Sequence, residues 1–173
     1  MVSFKIFELK YVTLISTAVQ FIFSGSIKKQ LKQTENHPKE NVMTFQTTNI
    51  SISIDNSKEK VYQFASNPEN FPKWLAFVKS VSKKSNTIWN AESDLGNIEI
   101  ELTPENEFGI IDHKVKLPDG TQVYNPLRVI ENGKGSEIIF TLYKMPDKTE
   151  EEFNADANLV KADLKVLKDI LEK

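Results

Sequence analysis

Cysteine is absent from this 173-residue chain, which excludes a disulfide framework, a thiolate metal site and a cysteine nucleophile. Histidine is nearly absent. With 2 of them, His37 in a polar stretch and His113 in an apolar one, a multi-histidine metal site cannot be assembled. Carboxylates alone can hold magnesium or calcium, but no Asp-rich loop with ligand spacing occurs. Neither a metal nor a cofactor is expected. An excess of either charge is also missing. Lysine plus arginine number 22 against 24 acidic residues, so the net charge of -2 gives no broad cationic field for a phosphate backbone. Nucleic acid is not an expected partner. No Gly-rich phosphate loop, nucleophile elbow or Ser-His-Asp order is present. The apolar run from Tyr11 to Phe23 falls short of the roughly 20 residues a membrane-spanning helix needs, so no stable span is expected.

What is present is 39% apolar residues, enough to bury the core of one ordinary domain. Residues 1–42 read as an extension and 43–173 as the domain. The apolar run follows Lys5 and Lys10 and leads into Ser24-Gly25-Ser26, a small-x-small pattern like a signal-peptidase site, while Glu8 and Gln20 count against export. Residues 27–41 are charged and lack an apolar period, so they read as linker. A natural start at Met43 is a third reading. A cytoplasmic protein is expected, or an exported one if residues 1–26 act as a signal.

Asn49 to Asp55 alternates isoleucine with polar residues, the period of a strand with one buried face carrying Ile50, Ile52 and Ile54. Asp55 or Ser57 then caps a short helix with Val61, Phe64 and Ala65 on its apolar face, ended by Asn67-Pro68. A further helical turn is expected around Phe71-Pro72-Lys73-Trp74. From about Val78 to Met145 short β-type runs are broken at Asp94-Leu95-Gly96, Pro118-Asp119-Gly120 and Asn132-Gly133-Lys134-Gly135, which delimit antiparallel hairpins. Thr149-Glu150-Glu151-Glu152 has the form of a capping box. The helix it opens has Phe153, Ala157, Val160, Leu164, Leu167 and Leu171 on one stripe, widened by Leu159, Val166 and Ile170, with Lys161, Lys165 and Lys168 on the wet side. Because nothing helical separates the middle strands, the class is α+β: a curved antiparallel sheet of about six or seven strands curled around the long C-terminal helix, with two short helices after the first strand.

Several phrases carry a family resemblance: Val61-Tyr62-Gln63-Phe64 before Asn67-Pro68-Glu69-Asn70, Trp74, Phe108-Gly109-Ile110-Ile111-Asp112-His113, Arg128-Val129, Phe140-Thr141-Leu142, and Glu152-Phe153-Asn154-Ala155-Asp156 followed by Ala162-Asp163-Leu164. From about Thr48 to Lys173 the chain resembles the START and birch-pollen-allergen (helix-grip) superfamily, most closely its bacterial polyketide cyclase/dehydrase-like SRPBCC branch. The resemblance implies a helix-grip fold. It does not select an activity, because this superfamily includes lipid carriers, receptors, cyclases and members of no established role.

Strand parity puts His113 with Ile111, Val115 and Leu117 on the apolar face, and Asp112 with Lys114 and Lys116 toward water. A neutral imidazole inside a cavity can hydrogen-bond a ligand or act as acid or base; the plainer alternative is a buried histidine satisfied by a neighbouring strand. Arg128 shares parity with Tyr124, opposite Val123, Leu127 and Val129, which places it outside the cavity, near Asp112 or a helix acid. Glu99 and Glu101 share a wet strand face. Trp74 and Trp89 are expected at the cavity mouth, or simply in the core, with Ile111, Val115, Phe153 and Val160 along the wall. The leading expectation is a module that binds a small apolar or aromatic molecule between sheet and C-terminal helix. The alternatives are a cyclase- or dehydratase-type enzyme using His113, supported by Tyr143, and an interaction module with no cavity.

Overall fold

The computed structural model describes residues 44–173, and a compact unit spans Phe45–Lys173. The readings of residues 1–42 lie outside the described residues. Strand β1 (Thr47–Ile54) is followed by helix α1 (Lys58–Ser66), a 3-10 turn (Pro68–Asn70) and the single helical turn α2 (Phe71–Trp74). Seven strands follow: β2 (Val78–Lys83), β3 (Ile88–Ser93), β4 (Gly96–Leu102), β5 (His113–Lys116), β6 (Gln122–Asn125), β7 (Leu127–Asn132) and β8 (Gly135–Tyr143). Helix α3 (Glu150–Leu171) ends the chain. Ser57 caps α1, its hydroxyl accepting from the Lys60 N–H, and Thr149 and Glu152 form the complete capping box at α3. Among the described residues no helix is long and apolar enough to cross a membrane.

All strand pairings are antiparallel. They fall into a ladder β1-β8-β7 and a ladder β2-β3-β4-β5-β6. These two ladders join at one bend. His113 faces Asn125 in the second ladder and Ile110 bridges Arg128 in the same register, with Ile111 N–H donating to the Leu127 carbonyl at 2.8 Å. Between these pairs Asp112 lies opposite Pro126, which has no N–H to donate, so the ladder is interrupted there and the strands bend. The Asp112 carbonyl instead accepts from the Thr103 N–H at 2.9 Å and the Thr103 hydroxyl at 2.7 Å. Just upstream, Gly109 has φ +76, and a Cβ there would lie 2.1 Å from the Val129 carbonyl oxygen, so the close approach of these two strands requires glycine.

The inner face is apolar. Ile54, Ala91, Ile98, Ile100, Leu127, Val129 and Ile138 are buried on it, and α3 adds Leu164 and Leu167 from above. The helix packs on β1, β8 and α2. Its stripe is narrower than the sequence suggests: Leu159 and Val166 are 64% and 43% exposed. They lie seven residues apart on the flank of the stripe, where no neighbouring element reaches them, whereas Phe153, Leu164 and Leu167 point at the sheet and are buried.

Asp112 also departs from its expected environment. Its parity does place it on the outer face, but it is buried there rather than solvated. Arg128 donates to both of its carboxylate oxygens, Nε at 2.8 Å and Nη2 at 2.6 Å; the Tyr124 hydroxyl donates at 2.6 Å and the Leu127 N–H at 3.1 Å. Those side chains roof the carboxylate. Burial alone would raise its pKa, but the Arg128 and Tyr124 hydrogen bonds, the guanidinium charge and the Leu127 N–H outweigh burial and hold it below the usual carboxylate value.

Candidate functional site

A cleft of about 260 Å³ opens at the end of the sheet beside α1. Its floor is the inner sheet face: Trp89, Leu102 and Ile111. One wall is the C-terminal half of α1, with Tyr62, Gln63 and Ser66, continued by Asn67 and Pro68. The other wall comes from the turn before β3, with Asn86 and Thr87, and from the loop after β4, with Thr103, Pro104, Glu105 and Ile110. A second concavity, about 620 Å³, lies under polar side chains such as Ser80, Ser82, Asn90, Glu92 and Lys116 and is open to solvent. An apolar floor with a polar rim is what distinguishes a ligand cleft from such a dish.

The loop wall is built by one residue. Asn106 Oδ1 accepts from the Phe108 and Ile110 N–H groups, each at 3.1 Å, and its Nδ2 donates to the Pro104 and Ile110 carbonyls, each at 2.9 Å. This folds residues 104–110 upon themselves. The Asn106 N–H then donates to the Tyr62 hydroxyl at 2.8 Å, tying α1 to the loop across the cleft. Tyr62 is only 8% exposed. Nothing local marks it as a binding residue, since it follows Val61 on a turn whose core face is set by Val61 and Ala65; its one signal is a hydroxyl on that apolar turn.

Of the residues expected to bind ligand, Trp89 and Ile111 line the cleft. His113 and Val115 share the same inner face: Leu102 pairs with His113, and Ile100, next to Trp89 across the sheet, pairs with Val115. His113 is half-buried, with Nδ1 3.0 Å from the Ile111 carbonyl oxygen. That contact requires the proton on Nδ1 and leaves Nε2 an acceptor in the neutral ring. Burial holds its pKa below the ordinary 6.5, although the Ile111 carbonyl and the Asp112 charge oppose this. Trp74, Phe153 and Val160 belong to the packing between helices and sheet, Trp74 meeting Phe71 edge to face at 5.9 Å. Tyr143 pairs with Thr47 on the outer face, its ring 6.5 Å from that of Tyr124 and 6.4 Å from Phe45. The sheet therefore separates Tyr143 from His113. Arg128, the chain's sole arginine, is held on Asp112, also on the outer face. Lys83 Nζ lies 6.0 Å from the centre of the Trp89 ring. Among the described residues no group of His, Cys, Asp and Glu side chains is arranged to hold a metal ion.

No family model matches this sequence, and no curated protein is similar to it. Solved structures are. An uncharacterised protein from Bacillus thuringiensis superposes with a TM-score of 0.60 at 17% identity, covering 74% of this chain and 100% of that one. A START superfamily protein from Mycobacterium smegmatis gives 0.59 at 12% identity, covering 73% and 97%. Ara h 8.0201 gives 0.57 at 12% identity, covering 74% and 98%. With its long C-terminal helix packed on a bent antiparallel sheet and short helices after the first strand, this chain has the helix-grip fold of these structures.

Proposed function

We propose that this protein binds a small, largely apolar or aromatic molecule in the cleft between α1 and the end of the sheet. The observation that supports this is the floor: Trp89, Leu102 and Ile111 form an apolar surface open to the outside, under a rim supplied by α1 and the Asn106-folded loop. At about 260 Å³ the cleft is slightly smaller than the roughly 300 to 1,000 Å³ of drug-sized ligand sites, which suits a one- or two-ring occupant. His113 and Val115 continue the floor inward, so His113 contributes shape and one acceptor nitrogen to the region beneath the ligand. A cyclase-type reading that pairs His113 with Tyr143 is not supported, because Tyr143 is on the other side of the sheet.

The chain has 2 tryptophans, and only Trp89 lines the cleft, so intrinsic fluorescence reports on the site directly. Titration with tetralin, an aromatic bicyclic hydrocarbon, should produce a saturable change in tryptophan emission. Trp89→Phe should abolish the change and Trp74→Phe should retain it. A linear, unsaturable response, or one that persists in Trp89→Phe, contradicts the proposed site.

A further inference from the structure

Tyr62 has an unused donor. Its hydroxyl oxygen accepts the Asn106 N–H at 2.8 Å, and among the described residues the O–H proton itself is donated to nothing. A phenol carries one donor and two acceptor lone pairs, so accepting the backbone proton leaves the donor free. Tyr62 is more than nine-tenths buried, and a buried donor without a partner is disfavoured by the loss of its water. The hydroxyl lies at the loop wall, where Thr103, Pro104 and Ile110 line the cleft with it. The bond from Asn106 fixes the oxygen in place, while Asn106 is itself held by its own side-chain bonds to residues 104, 108 and 110. The nearest acceptors are already in use to different degrees: Asn106 Oδ1 takes two backbone N–H groups, and the Pro104 and Ile110 carbonyls each accept one bond from Asn106 Nδ2. What remains is a donor on a fixed hydroxyl, in a residue that lines a cleft with a mainly apolar floor.

We propose that the ligand of this cleft carries an acceptor oxygen, a ketone, ether or phenolic oxygen on a one- or two-ring apolar body, and that Tyr62 recognises it by donating its O–H. This deepens the ligand-binding reading and rests on it. Tyr62 is thus the specificity-determining residue, and Trp89, Leu102 and Ile111 supply the apolar contact.

The test compares α-tetralone with tetralin, the same bicycle without its oxygen, by calorimetric titration of the full-length protein. Wild type should bind the ketone about tenfold more tightly than the hydrocarbon. Tyr62→Phe should bind both with the affinity wild type shows for tetralin, which also demonstrates that the cleft survives the loss of the Asn106 contact. Equal affinities in wild type, or a preference that persists in Tyr62→Phe, overturns the assignment of Tyr62 while leaving the cleft as a binding site. Binding of neither molecule overturns the ligand-binding reading and this proposal with it. A second measurement does not depend on the variant: the carbonyl carbon-13 resonance of α-tetralone should move downfield on binding to wild type, as it does when a carbonyl accepts a hydrogen bond. A resonance that stays at its free position in the bound state contradicts the proposal.

Discussion

Leu164→Ala should lower the unfolding free energy by about 2 to 5 kcal/mol in urea denaturation, the range for emptying a well-packed leucine site. Leu164 is 2% exposed in the middle of α3 and belongs to the core cluster that joins the helix to the sheet. The loss combines the transfer free energy of the deleted methyl groups with that of a cavity the sheet cannot collapse into. Val166, two residues on and 43% exposed, provides the contrast: Val166→Ala should change stability by less than about 0.5 kcal/mol. Equal effects of the two substitutions would mean that the helix docks on a different face.

Asp112→Ala should cost roughly 2 to 4 kcal/mol, because it leaves the buried Leu127 N–H without an acceptor and frees two side chains that the carboxylate holds. The value falls below the about 3 to 5 kcal/mol typical of breaking a fully buried pair, since the Arg128 side chain is 46% exposed and can turn to water. Acid should mimic the substitution. The folded-state pKa of Asp112 lies below the ordinary 3.8, so the folded protein takes up this proton less readily than the unfolded chain. The contribution of the carboxylate is therefore present in full well above pH 3.8 and is lost as pH falls from there through the depressed value. Asp112→Asn, which cannot titrate, should lose less stability than wild type across that window. A cost below about 0.5 kcal/mol for Asp112→Ala would show that the bend at Pro126 holds without the carboxylate.

Local patterns in the sequence suffice where a single element determines them. The Asn-Ile-Ser-Ile-Ser-Ile alternation placed Ile50, Ile52 and Ile54 inward because a pleated strand with one buried face allows no other phase. Thr149 and Glu152 announced α3 because both halves of a capping box lie within one turn. The parity of Arg128 puts it outside the cavity, near Asp112 or a helix acid, and it is Asp112 that it pairs with. The environment of Asp112 was missed for a non-local reason. Parity fixes a residue's face but not who covers it, and its roof comes from residues 124 and 128, brought across by the hairpin register. Leu159 and Val166 are apolar and within the helix period, yet how wide a stripe is covered depends on the neighbours that a helix meets.

The cleft is not the expected cavity between the sheet and the C-terminal helix, since α1 and the loop after β4 wall it and no residue of α3 lines it. Its floor residues Trp89 and Ile111 sit on apolar strand faces and could be named in advance; Tyr62 and the folded loop after β4 could not. They meet through a contact between residues 62 and 106 that no local period encodes. Trp74, Phe153 and Val160 are as apolar as the floor, and only tertiary packing separates lining from core.

An apolar molecule seated between α1 and the sheet end should be visible in amide chemical-shift mapping on isotope-labelled protein. Addition of α-tetralone should move the resonances of Tyr62, Leu102 and Ile111 and the Trp89 indole N–H together, along one saturating curve, and leave the polar dish around Ser80 and Glu92 unmoved. Shifts that are absent, or that spread over the dish and the outer face without saturating, would contradict it.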